Sequence, residues 1–196
     1  MRKSLIGLGK LFFRLRGFTP IPFYILCLIY VRIDLRLFLP GFLLIGLGEF
    51  LRFYSVGYLG ISSRKTDHAD ADELITDGPY RFVRNPIYLG NTLIYLGFAV
   101  LSNVFFPLFP ILTLVFFTFD YGLITRYEER VMHAKFGEDY EKYMHRVSRF
   151  FPKWPLKEDL QPKRHFDARK AFQSEKVTFF VLILALCGLI IRDFTY

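Results

Sequence analysis

The sequence predicts an all-α, polytopic helical membrane protein with about five transmembrane helices and a cytosolic amphipathic helix. Three observations predict it. Of the 196 residues, 53% are hydrophobic, 24 of them Phe and 12 Tyr, and the mean hydropathy is +0.29. The apolar residues fall in blocks near the roughly 20 residues that a helix needs to cross a bilayer core. The basic residues, 26 Lys and Arg against 18 Asp and Glu, cluster beside those blocks. There they set orientation and meet anionic headgroups, which argues against nucleic acid as the partner. The chain reads as one domain over 1–196, with its chemistry concentrated in 74–152.

Residues 1–16 (MRKSLIGLGKLFFRLR) alternate basic with apolar side chains and read as an interfacial basic lead-in. No small-residue cleavage site follows, so a cleavable signal peptide is not expected. A first span covers roughly 17–31. It is short, with Pro20 and Pro22 near its start, so tilting or an interrupted start is expected. A polar turn at 32–36 leads to a second span over 37–59, where Gly41, Gly46 and Gly48 would allow close helix approach. Inside it Glu49 and Arg52 share a helical face. Charges at that depth must neutralise each other while facing the bundle or a cavity; an orienting ion pair and a substrate role both fit.

Residues 60–79 read as a polar loop, with a short extended pair around Leu74–Ile75 and a turn at Asp77-Gly78-Pro79. A third span covers 86–101 and a fourth 105–125. The turn at Ser102–Asn103 is so short that the two must form a helical hairpin. Over 126–149, Val131, Phe136, Tyr140, Tyr143 and Val147 form the stripe of an amphipathic cytosolic helix, broken at Gly137. A basic linker (152–173) precedes a final span at 177–191. With the N-terminus inside, 22 of the 26 Lys and Arg lie in the cytosolic segments 1–16, 60–85 and 126–176. Arg32, Arg36 and Arg192 lie outside and Arg52 within the membrane. This is the asymmetry of the positive-inside rule, so the N-terminus and the polar stretches are expected on the cytosolic face.

Cys27 and Cys187 sit in apolar segments and read as buried hydrophobes rather than a disulfide. The four histidines (His68, His133, His145, His165) show no metal-cage spacing, and no metal is expected.

Two polar stretches should meet on one side of the hairpin. The first, GPYRFVRNPIYLGN (78–91), straddles the entry of the third span; the second, TRYEER (125–130), leaves the fourth. Arg81 and Arg84 offer planar forks for a carboxylate or phosphate. Asn85-Pro86 suits a helix start. Tyr88 and Asn91 add hydrogen-bonding groups, and Gly90 leaves room for a ligand or a helix. A helix cap with an interfacial Arg/Tyr belt explains this stretch equally well. Glu128 and Glu129 fit a solvated helix start, but their position opposite Arg-Asn-Pro also suits an ammonium, ribose hydroxyls or a sulfonium.

The combination G-P-Y-R-x-V-R-N-P-x-Y-L-G-N, a hairpin, Y-E-E-R and F-G-E-D-Y-E-K-Y resembles the isoprenylcysteine carboxyl methyltransferase family and its phospholipid methyltransferase relatives. That resemblance implies an S-adenosylmethionine pocket built from Arg84, Asn85, Pro86, Tyr88 and Gly90, closed by Glu128 and Glu129, with Tyr80 and Leu89 close by. It further implies that Arg149 stands near the reacting end, so that Glu128, Glu129 and Arg149 are the candidate catalytic groups. Asn85 stands where many members carry His, and it cannot titrate near neutral pH, so this stretch is expected to bind and orient rather than move protons. The implied reaction is direct methyl transfer to a lipophilic or membrane-associated acceptor. An amine or hydroxyl acceptor would need a base, for which Glu128 and Glu129 are the nearest pair on sequence grounds. No glycine-rich dinucleotide fingerprint follows a strand, so the soluble Rossmann-type fold is not expected. Two other readings compete: a sterol-reductase-like membrane reductase using NADPH, and a non-catalytic membrane scaffold.

Overall fold

A computed structural model describes residues 2–59, 73–152 and 164–195, with side chains described from residue 6 onward. The described residues contain six α-helices: α1 (Arg2–Leu15), α2 (Ile21–Tyr30), α3 (Leu35–Leu59), α4 (Pro86–Leu101), α5 (Leu108–Arg146) and α6 (Ala168–Phe194). A single 3₁₀ turn, Gly78–Arg81, precedes α4. Among the described residues the only strand-like pairing is one parallel bridge between Val83 and Ser148. Helix is the expected outcome for this sequence, since a chain surrounded by lipid must satisfy its backbone groups internally.

Three helices are long and apolar enough to cross a membrane: α3, α5 and α6, with 25, 39 and 27 residues. Their outer faces carry exposed Leu43, Leu47, Ile111, Phe119, Phe180 and Leu184, a surface suited to lipid rather than water. Helices α2 and α4 are apolar but shorter, at 10 and 16 residues, or about 15 and 24 Å. The first predicted span is therefore not one helix. Arg16 reaches Glu128 at 3.7 Å, and Thr19 Oγ1 donates to Asp120 at 3.3 Å. At the far end of α2, Arg32 N donates to Ser102 O and Ile33 N to Asp193 Oδ1. The segment 16–33 thus runs the depth of the bundle as a turn plus a short helix, interrupted at the prolines as their chemistry requires.

The tightest packing is between α3 and α4, where two glycine pairs seven residues apart bring backbone onto backbone. A Cβ on Gly41 would lie 2.7 Å from Gly97 O, and one on Gly48 would lie 2.5 Å from Gly90 O. Gly46, which the sequence grouped with them, faces open space. The lead-in helix α1 is less peripheral than expected. It packs on α5 through Gly9, whose Cβ position is 2.5 Å from Leu123 O, and through the buried Phe13.

Four other expectations change. The amphipathic segment continues the helix of the fourth span as far as residue 136, and at Gly137 (φ 52°, ψ −124°) the backbone leaves helical geometry and a kink sets off the last turns, 138–146. That bend is the predicted break, and beyond it Tyr140, Tyr143 and Val147 form a buried cluster with Phe136 and Leu74. Among the described residues Leu74–Ile75 has no strand partner. The last helix begins at Ala168 and not at 177, because Asp167 caps it by accepting from the N–H groups of Arg169 and Lys170 at 3.0 and 3.1 Å. Cys27 is buried but Cys187 is exposed on the outer face of α6, and both are free thiols. His68, most of the 60–79 loop and half of the 152–173 linker lie outside the described residues.

The glycine contacts make a direct prediction. Gly48→Ala should lower stability by about 1–3 kcal/mol through overpacking, and Gly46→Ala should stay within about 0.5 kcal/mol, both read from thermal unfolding in detergent. Equal midpoints for the two variants would contradict the α3–α4 contact.

Candidate active site

At one end of the bundle the turn after α1, helices α3, α4, α5 and α6 and the 3₁₀ turn surround a cavity of about 640 Å³, within the usual range for small-molecule sites. The sequence explains its shape locally. Gly78 takes φ +57°, a conformation that glycine adopts freely, and the chain turns there before Pro79. Pro86 then starts α4 with its fixed φ, and Asn85 is the residue at the helix cap. The Asn85 side chain makes no capping bond; its Nδ2 is buried without a hydrogen-bond partner. The Tyr80 hydroxyl is likewise buried and unpartnered, although the Tyr80 carbonyl accepts from Tyr143 Oη at 2.7 Å. Burial pushes the Tyr80 hydroxyl well above its ordinary pKa, so it stays a neutral donor. Both groups line the cavity, and unsatisfied buried polar atoms in a cavity wall call for a ligand or solvent partner.

Glu128 and Glu129 lie side by side at the end of the membrane-level part of α5 but have different neighbours. Tyr88 Oη donates to Glu128 Oε1 at 2.6 Å, the Tyr88 ring stacks on Tyr121 at 4.6 Å between centroids, and Arg16 approaches from the turn after α1. Glu129 is clamped by two arginines. Arg84 donates to its Oε1 through Nε at 3.0 Å and Nη2 at 2.8 Å, and Arg149 donates to both of its oxygens through Nε and Nη2. Arg84 Nη1 also donates to the carbonyls of Met144 and Val147, and Arg84 N to Ser148 O at 2.8 Å. These bonds tie the chain after the Gly137 bend to the entrance of α4. Hydrogen bonding to Glu129 holds the Arg149 guanidinium above its usual pKa range, against the opposing effect of its partial burial.

Of the residues singled out from the sequence, Tyr80, Arg84, Asn85, Pro86, Tyr88, Glu128 and Glu129 line the cavity. Arg149 joins them only through Glu129. Gly90 faces α3, where its Cβ position is 2.7 Å from both Gly48 O and Arg52 Cγ, and Leu89 on the same helix is not in the cavity wall. The wall also holds groups that the sequence gave no reason to place there: Arg16, Tyr121, Tyr140 and Glu175. Arg52 and Asn91, noticed as polar groups within spans, line it too. Asn91 belongs to the 78–91 stretch, and Arg52 stands out as a charge deep in an apolar segment, where lipid would otherwise be. Among the described residues no group of three or more His, Cys, Asp and Glu side chains is arranged to hold a metal ion.

A polar, partly unsatisfied cavity at the ends of apolar helices defines a helical membrane protein with a small-molecule site. The chain belongs to the phospholipid methyltransferase family, whose model matches residues 36–139. It is 33% identical over 116 residues to the protein-S-isoprenylcysteine O-methyltransferase of Schizosaccharomyces pombe, covering 56% of this chain and 47% of that protein. It is also 33% identical over 98 residues to the cobalt-zinc-cadmium resistance protein CzcN of Cupriavidus metallidurans and to the nickel-cobalt-cadmium resistance protein NccN of Alcaligenes xylosoxydans xylosoxydans. Each of those matches covers 50% of this chain and 42% of the relative. The chain therefore spans just under half the length of the curated relatives it matches. No solved structure matches it significantly. The family match contains the glycine pairs, the entrance of α4 and both glutamates; Arg16, Arg149 and Glu175 fall outside it.

Removing the clamped carboxylate tests the arrangement. Glu129→Ala should cost about 3–5 kcal/mol by leaving Arg84 buried without its counter-ion, whereas Tyr88→Phe should cost about 1 kcal/mol for one hydrogen bond. Thermal unfolding in detergent measures both, and comparable losses would contradict the clamp.

Proposed function

We propose that this protein is an integral-membrane, S-adenosylmethionine-dependent methyltransferase acting on a lipophilic or membrane-associated acceptor. The observation that carries this reading is the pair of buried, unpartnered polar groups, Tyr80 Oη and Asn85 Nδ2, on residues that line the same cavity as Glu128. They lie within the motif by which the chain resembles membrane methyltransferases. A neutral amide and a phenol beside a carboxylate fit a ligand with both hydrogen-bonding and cationic groups, and the cavity volume suits a nucleoside-sized molecule.

In this reading Tyr80, Asn85, Pro86 and Tyr88 bind the cofactor, while Glu128 meets its ammonium or ribose hydroxyls and is oriented by Tyr88. Arg84, Glu129 and Arg149 fix the wall beside it, and Leu89 and Gly90 seat α4 against α3. The bound cofactor supplies a methyl group already activated by its sulfonium. The protein then has only to align the acceptor with that group and keep water out. The bend at Gly137 serves the second task by folding Tyr140 and Tyr143 over the cavity. The acceptor enters from the lipid between α3 and α6, where Val56, Leu59, Val177 and Val181 give the cavity an apolar side. The similarity to an isoprenylcysteine O-methyltransferase supports an acceptor of lipid character.

The proposal extends to topology. Segment 16–33, α3, α4, α5 and α6 make five crossings, with the N-terminus and the site on the cytosolic face, as the charge asymmetry favours.

Calorimetric titration of the detergent-solubilised protein should give binding of S-adenosylhomocysteine and none of NADPH. Glu128→Gln and Asn85→Ala should each weaken that binding tenfold or more, about 1.4 kcal/mol, with unchanged thermal midpoints. Binding of NADPH alone would replace this reading by a reductase, and unaltered affinity in both variants would move the cofactor elsewhere.

A further inference from the structure

Among the described residues three arginines line the cavity, Arg16, Arg52 and Arg84, and two of them are engaged by the protein at hydrogen-bond distance. Arg84 donates to Glu129 and to the carbonyls of Met144 and Val147. Arg52 on α3 donates through Nη2 to Glu175 Oε1 and Oε2 on α6, at 3.1 and 2.8 Å, and through Nη1 to Asn91 Oδ1 on α4. Arg16 differs. Its Nη1 stands 3.7 Å from Glu128 Oε1, beyond hydrogen-bond length, and its guanidinium lies over the Phe13 ring, 4.0 Å from the centroid. The Tyr88 hydroxyl, which orients Glu128, is also close to it.

Arg16 is the first residue beyond α1, and the contacts around it fix where it stands. Helix α1 lies on α5 through Gly9 and the buried Phe13, whose ring packs on Tyr127 at 5.7 Å between centroids. The Arg16 carbonyl accepts from Thr19 Oγ1 at 3.3 Å. From there the side chain reaches the wall beside Glu128, 26% exposed against 10% for the glutamate. The wall therefore offers a cation and an anion next to each other, with the cation held loosely. Such a pair is the complement of a zwitterion, which meets both protein charges at once and leaves neither uncompensated. An α-amino acid carries its ammonium and carboxylate on one carbon, close enough together to touch both side chains.

We infer that Arg16 binds the carboxylate at the amino-acid end of the cofactor, while Glu128 takes the ammonium on the same carbon. The inference rests on the methyl-transfer reading above. Binding exchanges one loose ion pair for two charge-assisted contacts, so the net charge of the wall is unchanged. Arg52 and Arg84 are poor substitutes, because either could take a carboxylate only by loosening a buried pair of its own. The Tyr80 hydroxyl and the Asn85 amide are then left for the nucleoside end. Arg16 is thereby a specificity-determining residue: it selects a ligand that keeps its carboxylate over one that has lost it. It lies outside residues 36–139, the segment that the family model matches, and so belongs to this chain's own lead-in segment rather than to the matched motif.

Calorimetric titration of the full-length protein with two ligands separates the two charges. The wild-type protein should bind S-adenosylhomocysteine about tenfold or more tightly than decarboxylated S-adenosylhomocysteine, which keeps only the ammonium. Arg16→Gln should lose about that factor for S-adenosylhomocysteine and nothing for the decarboxylated ligand, so that the preference disappears. Glu128→Gln should weaken both ligands, because both carry the ammonium. If Arg16→Gln fails to fold, Arg16→Lys carries the test: it keeps the charge without the planar fork and should reduce the preference. Equal wild-type affinity for the two ligands, or a preference unchanged in the Arg16 variants, would overturn the inference and leave the methyl-transfer reading standing. So would tighter binding of both ligands by Arg16→Gln, the result expected of a guanidinium that only competes for Glu128. A wild-type protein that binds neither ligand would overturn both.

Discussion

The backbone contact between α3 and α4 is the constraint on which the rest of the structure depends. Gly41 against Gly97 and Gly48 against Gly90 remove four side chains at matching seven-residue intervals. Between lipid-embedded helices the hydrophobic effect contributes little, so close van der Waals packing must hold them together. At that separation Arg52, one turn beyond Gly48, reaches Asn91 across the interface and lies against Gly90. A wider gap would move the guanidinium away from both α4 and the cavity. The same contact fixes the start of α4, and with it the positions of Asn85 and Tyr88.

Charge is arranged around that contact in a consistent way. No buried arginine of the cavity wall relies on a neighbour in its own helix alone. Arg84 is matched by Glu129 of α5, and Arg52 by Glu175 of α6 in addition to Glu49. Breaking such a buried pair is costly because the remaining charge has no water to turn to. The ion pairs therefore join segments far apart in sequence: the entrance of α4 to the residues after the Gly137 bend, and α3 to α6. In each case the segments joined are the walls of the cavity, so the interactions that hold the bundle also shape the site.

Much of this was legible in the sequence. The helical class followed from block hydropathy, and the family from GPYRFVRNP combined with YEER, a resemblance that the family match over 36–139 agrees with. The hairpin followed from a turn too short for any alternative. Less legible were features set by distant partners. The continuation of α5 past residue 125 was less legible because residues 126–136 are largely polar, while Gly9 of α1 packs on it at Leu123 and Tyr127 and Arg84 pairs with Glu129. The start of α6 was less legible because Arg169 and Lys170 read as part of a basic linker, yet Asp167 caps the helix there, and Arg52 supplies the partner that lets Glu175 be buried. Arg16 could not be assigned to the cavity at all. Its place depends on α1 folding back along α5 through Gly9, a contact that no local pattern announces.

The central claim, that the methyl donor occupies the cavity enclosed by the entrance of α4 and the end of the membrane-level part of α5, is tested most directly by an experimental structure. The protein should be reconstituted in nanodiscs with S-adenosylhomocysteine. The account predicts ligand density in contact with the Tyr80 hydroxyl, the Asn85 amide and the Glu128 carboxylate, with Arg84 still bound to Glu129. Density seated elsewhere, with those three groups free of the ligand, would contradict it.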